Sequence, residues 1–178
     1  MKYEVVEDMT QFKEWLFPSL FDRLTDNEPR KQKETRQDRV FDLARYRQAV
    51  LRDVLALLNT GNLQSETIAG ILPENVRASV LNYGVIPFSG VNFSDIEWYL
   101  VEQSIHDALT CFEPRLDAQT LQVNAHVQDE SEAMHNKLVI EIKGNLKLNP
   151  YPQEFLLRTR MDIETGTFDW ADNVYLYK

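Results

Sequence analysis

Ile105-His106-Asp107-Ala108-Leu109-Thr110-Cys111-Phe112-Glu113-Pro114-Arg115 is where this chain changes its period. Upstream, Ile96, Leu100, Ile105, Leu109 and Phe112 fall on one stripe of a helix, which Ser94-Asp95-Ile96-Glu97 opens with the spacing of a capping box. Downstream, Leu121, Val123, Ala125 and Val127 alternate with polar residues, the period of a strand. Proline cannot continue the helix and biases Glu113 toward extended geometry. Side chains two apart in an extended segment share a face, so Glu113 and Arg115 are expected to project together from a stiff backbone. Read locally, they form either an exposed ion pair at a chain reversal, worth about 0–1 kcal/mol, or a two-pronged docking feature.

Working outward toward the N-terminus, Pro73 opens an expected second helix with Val76, Val80, Leu81 and Tyr83 facing inward and Gly84 as its left-handed cap. Before it, Phe41, Ala44, Leu51, Val54, Leu55 and Leu58 give a helix over residues 40–59, with Gly61 as its stop. Residues 25–39 hold no apolar residue except Pro29 and mix both charge signs, as a solvated linker does. Preceding that linker, Phe12, Trp15, Leu16, Phe17, Leu20, Phe21 and Leu24 form an apolar series that Pro18 breaks into short pieces. Such a strip either folds back on the core or docks on a partner, which makes Trp15, Phe17 and Phe21 candidate partner-binding residues.

Toward the C-terminus, residues 128–136 read as a polar loop. Leu138, Ile140 and Ile142 alternate after it, and Leu146 and Leu148 carry the strand past Gly144. Asn149-Pro150-Tyr151-Pro152 is a turn signal. A further strand carries Phe155, Leu157, Thr159, Met161 and Ile163, and Glu164-Thr165-Gly166 turns the chain into Phe168, Trp170 and the closing Val174-Tyr175-Leu176-Tyr177. Helices first and strands afterwards predict an α+β fold: three main helices followed by an antiparallel or mixed sheet of about four strands.

With 178 residues, 43% of them hydrophobic, the chain suits one domain with a sizeable core. A net charge of -9 argues against binding duplex nucleic acid or an anionic membrane surface. One cysteine leaves no internal disulfide to form. The acidic start Met1-Lys2-Tyr3-Glu4-Val5-Val6-Glu7-Asp8 is unlike a signal peptide, and no apolar run suits membrane insertion, so a cytoplasmic location is expected. His106, His126 and His135 share no ligand spacing with one another or with Cys111, so no cofactor or metal is expected. Cys111 reads as a small buried hydrophobe in a last helical turn. Glu102, Asp107 and Glu113 are the carboxylates that a two-carboxylate glycosidase would draw on, but nothing marks any of them as set against an aromatic in an apolar pocket.

Four segments stand in order along the chain: Pro18-Ser19-Leu20-Phe21-Asp22-Arg23-Leu24, Ser79-Val80-Leu81-Asn82-Tyr83-Gly84, Phe112-Glu113-Pro114-Arg115-Leu116 and Asp162-Ile163-Glu164-Thr165-Gly166. Together they resemble the TssE family, the type VI secretion baseplate proteins related to the small wedge protein of contractile phage tails and often labelled lysozyme-like. The resemblance implies a fold like the strand-exchanging (handshake) domain of sheath subunits. It also implies a structural, non-enzymatic role: docking other wedge proteins (TssF, TssG, TssK) and seeding the sheath (TssB, TssC) by lending sheet edges. In the family the Glu-Pro-Arg motif, here Glu113, Pro114 and Arg115, holds the other wedge proteins. Residues 120–128 and 154–163 are then the expected strands for augmentation. The expected division is an apolar segment and linker over 1–39 and one baseplate domain over 40–178. The rival reading is a peptidoglycan hydrolase using paired carboxylates.

Overall fold

The computed structural model describes residues 16–26, 29–30, 33, 40–66, 72–88, 97–127 and 137–170. Trp15, Ser94, Asp95, Ile96, His135 and Val174 to Tyr177 lie outside the described residues. The chain divides into two compact units, Met1–Ala49 and Val50–Lys178.

In the first unit Pro18 breaks the apolar series and Ser19 starts α1 (Leu20–Leu24) with a reciprocal cap. The Asp22 N–H donates to Ser19 Oγ at 3.4 Å, and Asp22 Oδ2 accepts from the Ser19 N–H at 3.3 Å and its hydroxyl at 2.6 Å. The Phe41 N–H donates to Leu16 O at 2.7 Å in an antiparallel bridge. The Arg45 guanidinium lies 4.9 Å above the Phe41 ring. Asp42 Oδ1 accepts the Arg45 N–H at 2.8 Å, an N-cap for α2 (Leu43–Leu58).

Val50, Val54, Leu57 and Leu58 are almost fully buried on α2. Beyond it, α3 (Leu63–Glu66) and α4 (Glu74–Arg77) are single turns, and a 3₁₀ turn follows at Val80–Asn82. The helix expected from Pro73 is therefore broken. Pro73 does begin α4, but Ser79 intervenes and caps the 3₁₀ turn by accepting the Leu81 N–H at 3.3 Å. The register shifts there, so Val80 and Leu81 are exposed rather than inward, and the buried residue of the turn is Asn82. The Asn82 amide is a staple: Oδ1 accepts the Gln64 N–H at 3.0 Å and Nδ2 donates to Arg77 O at 3.1 Å. Gly84 has φ +124, as its left-handed role requires, and a Cβ there would stand 2.2 Å from Thr60 O.

α5 (Trp98–Phe112) starts at Glu97, whose side chain makes no capping hydrogen bond. Val101, Ile105, Ala108 and Leu109 are buried on it; Leu100, expected inside, is half-exposed, so the stripe runs through Val101 instead. β1 (Gln122–Val127), β2 (Lys137–Leu146), β3 (Gln153–Asp162) and β4 (Phe168–Trp170) form one antiparallel sheet in the order β1-β2-β3-β4. This agrees with the α+β reading and resolves the antiparallel-or-mixed alternative. Leu138, Ile140, Ile142 and Leu146 share one face of β2 with Phe155, Leu157 and Met161 of β3, all buried. Burying side chains of this size stabilises the fold by about 1.5–3 kcal/mol each. α5 packs along β1. Asp162 Oδ1 accepts the Glu164 and Thr165 N–H groups at 2.9 and 3.1 Å, and Gly166 at φ +69 completes the β3–β4 turn.

Candidate functional site

Where α5 ends, the Glu113 N–H still reaches Leu109 O at 2.9 Å, and the chain then turns at Pro114 and Arg115. The Leu116 N–H donates back to Glu113 O at 3.1 Å, so the junction is a turn and not the extended segment expected from the proline. Arg115 O accepts the Lys147 N–H at 2.8 Å, the Asp117 N–H donates to Asn145 O at 2.9 Å, and Leu116 bridges Leu146. The backbone of the motif is thus stitched to the last residues of β2.

The side chains of Glu113 and Arg115 do meet, but through a buried contact. Glu113 is 4% exposed, so the expectation of an exposed pair is corrected. Capping α5 points its carboxylate back under the turn rather than out to solvent. Arg115 Nε donates to Glu113 Oε1 at 2.6 Å and its Nη2 to Oε2, a bidentate fork; the Arg115 backbone N–H adds a third bond at 3.2 Å. Nη2 also donates to Asp53 Oδ2 at 2.8 Å, and Asp53 Oδ1 accepts Arg52 Nη2 at 2.7 Å and Nε at 2.9 Å. Four charges of alternating sign, Glu113, Arg115, Asp53 and Arg52, therefore run from a buried end to the surface. Burial works against the charge of Arg115, but the hydrogen bonds and charge of Glu113, with Asp53 behind them, more than offset it and raise its pKa above the ordinary arginine value. Tyr83 packs edge-on against Phe112 with ring centroids 5.4 Å apart. Burial first, then the charges of Asp53 and Glu113, raises its phenol pKa.

Pro114 is exposed at the crest of this turn, held from below by the clamp. Asp53 belongs to the site and was not among the residues singled out from the sequence; Tyr83 was read as inward-facing, but not as part of this site. Asp53 stands beside the buried Val54, so a charge bordering an apolar stripe was the available signal. Its partner lies 62 residues away, beyond any spacing argument.

Of the other candidates, Phe17, just before α1, is 71% exposed and Phe21, on it, 65%, with Leu20 and Leu24 of α1 also exposed. Trp15 lies outside the described residues. Cys111 is exposed rather than buried, its Sγ 3.7 Å from Ala78 O, because the buried stripe of α5 passes through Ala108 and Leu109 instead. His106 lies 3.7 Å from Asp107 on the partly exposed side of α5, and His126 is exposed on β1. Among the carboxylates a glycosidase would draw on, both Glu113 oxygens are taken by Arg115, Glu102 Oε1 accepts the Ala125 N–H at 2.7 Å, and Asp107 is exposed. No helix among the described residues is long and apolar enough to cross a membrane.

No curated protein and no solved structure matches this chain. A family model does: baseplate wedge protein gp25, over residues 44–151, a span that holds α2, α5, the Glu-Pro-Arg turn, its Asp53 partner and β2. With more than half its length matched, this chain belongs to the baseplate wedge protein gp25 family, which includes the TssE proteins that its motifs resemble.

Proposed function

We propose that this chain is a structural part of a contractile injection baseplate, one that docks other wedge proteins through the Glu113-Pro114-Arg115 turn and seeds sheath polymerisation by strand addition. Its partners in this reading are other wedge proteins and sheath subunits, in the cytoplasm, and its role is not enzymatic. Residues 40–178 act as the baseplate domain, and residues 1–39 as a tethered segment whose Trp15, Phe17 and Phe21 add a second apolar contact. The observation that carries the reading is how the turn is held: Pro114 is exposed while Arg115 is bonded to Glu113, Asp53 and the Lys147 N–H. A preorganised loop loses little entropy on docking, which is what a permanent assembly contact requires.

The test is Pro114→Arg, which puts bulk on the crest without touching the clamp. We expect thermal unfolding unchanged and sheath formation in cells lost. Normal sheath formation with this variant refutes docking through the turn.

A further inference from the structure

Each outer edge of the sheet carries one side-chain plug, at Ala125 of β1 and at Phe168 of β4, and the two plugs differ. Asn145, in β2, donates its N–H to Thr120 Oγ1 and accepts the Asp117 N–H, so odd-numbered residues of β2 direct their backbone groups toward β1. The register Gln122↔Lys143, Asn124↔Glu141 and His126↔Val139 then turns the even residues of β1 inward, and Val123 and Ala125 present their N–H and C=O groups outward. At that edge the Ala125 N–H is held by Glu102 Oε1 of α5 at 2.7 Å. Among the described residues, the Ala125 carbonyl and both backbone groups of Val123 have no partner on that side.

On the far edge, Phe168 of β4 likewise faces outward. There Asn59 Oδ1 accepts the Phe168 N–H at 2.9 Å and Asn59 Nδ2 donates to Phe168 O at 3.0 Å, while the same Nδ2 reaches Leu55 O at 3.0 Å. A neutral amide thus imitates a neighbouring peptide at both points and is itself anchored. An incoming strand gains nothing at Phe168, although β4 covers β3 only from Thr159 to Met161. The β1 plug satisfies one donor, leaves acceptors and a further donor open, and is an anion.

We propose that β1 is a strand-accepting edge of this sheet, that Glu102 plugs it at Ala125 in the free protein, and that the segment displacing the plug is an extended stretch carrying a lysine or arginine that takes over the Glu102 carboxylate. This rests on the strand-addition reading above and names its edge and the chemistry of its partner. An incoming strand supplies a carbonyl to the Ala125 N–H, which releases Glu102; a half-buried carboxylate stripped of its donor is costly unless a cation replaces it. β1 itself, Gln122-Val123-Asn124-Ala125-His126-Val127, contains no lysine or arginine. A second copy pairing edge to edge would bring two Glu102 carboxylates together without a cation to offset them, so the same residue acts against self-association. The net charge of -9 steers basic segments toward the chain.

The test uses the full chain, isotopically labelled, and two synthetic blocked octapeptides of alternating threonine and valine, one with a central lysine and one with a central glutamate. We expect the lysine peptide to protect the Val123 amide from exchange, shift the Ala125 amide, and bind about tenfold tighter than the glutamate peptide. Glu102→Gln keeps the shape of the plug and should abolish that preference. Equal binding of the two peptides, or protection elsewhere with Val123 and Ala125 unmoved, overturns the proposal. Val123→Pro removes an outward donor while sparing the ladder to β2, and separates this proposal from the reading beneath it. Peptide response at Ala125 with normal sheath formation by Val123→Pro removes sheath templating and leaves the edge assignment standing.

Discussion

Glu113→Ala is the substitution on which the architecture of the motif makes its sharpest demand. It deletes both arms of the Arg115 fork and the acceptor of the Arg115 backbone N–H, and it leaves the guanidinium in a site where the lost carboxylate was 4% exposed. Breaking a buried pair by removing one partner costs about 3–5 kcal/mol. Arg115 retains Asp53 at 2.8 Å and one-fifth of its side-chain exposure, which places the loss at the lower end, about 3 kcal/mol. For a domain of this size about 1 kcal/mol moves the midpoint by roughly 2–4 °C, so thermal unfolding should fall by about 6–12 °C. Asp53→Ala removes a more exposed member of the same relay and should cost only about 1 kcal/mol. Glu113→Ala combined with Arg115→Ala should be milder than the sum of the two, because no unpaired charge remains. Calorimetry and urea titration of the wild type, the three single variants and the double variant decide it. The reasoning fails if Glu113→Ala lies within about 0.5 kcal/mol of wild type, or if Asp53→Ala is the more damaging. The exposed-pair expectation gives the opposite outcome, a variant folded as well as wild type.

Four further outcomes are expected. Glu141 is buried between Lys143 and Arg158, each at 2.8 Å; the hydrogen bond from Lys143 leads, partial burial opposes it, Arg158 adds to it, and the carboxyl pKa is lowered. A lowered folded pKa gives stability that is present above the unfolded value near about 4.3 and is lost as pH falls through the folded value, so urea melts should show an acid loss below about pH 4 that Glu141→Gln removes. Gly84→Ala forces a Cβ onto Thr60 O at positive φ and should cost about 3 kcal/mol by chemical denaturation. Asn59→Leu unmasks Phe168 and should cost about 1–3 kcal/mol, with concentration-dependent association in sedimentation. Phe17→Ser combined with Leu24→Ser should change stability by less than about 0.5 kcal/mol, since both side chains are exposed, yet weaken assembly in cells; normal assembly removes the docking role of the segment 17–24.

The strands were the most legible part of the chain. Period-two alternation over Leu138, Ile140 and Ile142 and over Phe155, Leu157 and Met161 translates directly into one buried face, because a pleated strand permits no other assignment. The helices were less so, since a stripe tolerates a shift of one residue: Leu100 and Val101 serve the pattern equally until the packing chooses Val101. Val80 and Leu81 fit a helix only if no turn intervenes, and the Ser79 hydroxyl makes one. The four motifs carry local chemistry, and each becomes a cap or turn: Ser19 with Asp22, Ser79 with Leu81, Glu113 with Arg115, Asp162 with Gly166. What local chemistry cannot express is which distant side chain completes it. Neither Asp53 under Arg115 nor Asn59 beside Phe168 was visible for that reason.

The bond from Asn59 to Phe168 spans 109 residues and so also sets a schedule. Synthesis at about 5–20 residues per second separates the two ends by roughly 5–20 seconds. During that interval the nascent chain carries a finished α2 whose Asn59 amide is tied only to Leu55 O, and a growing sheet with a bare flank. The flank is sealed only when the last few residues of β4 leave the ribosome. A stall or truncation shortly before Phe168 would therefore release a chain with nearly all of its core and none of its far seal, the species most prone to join with its neighbours on a polysome.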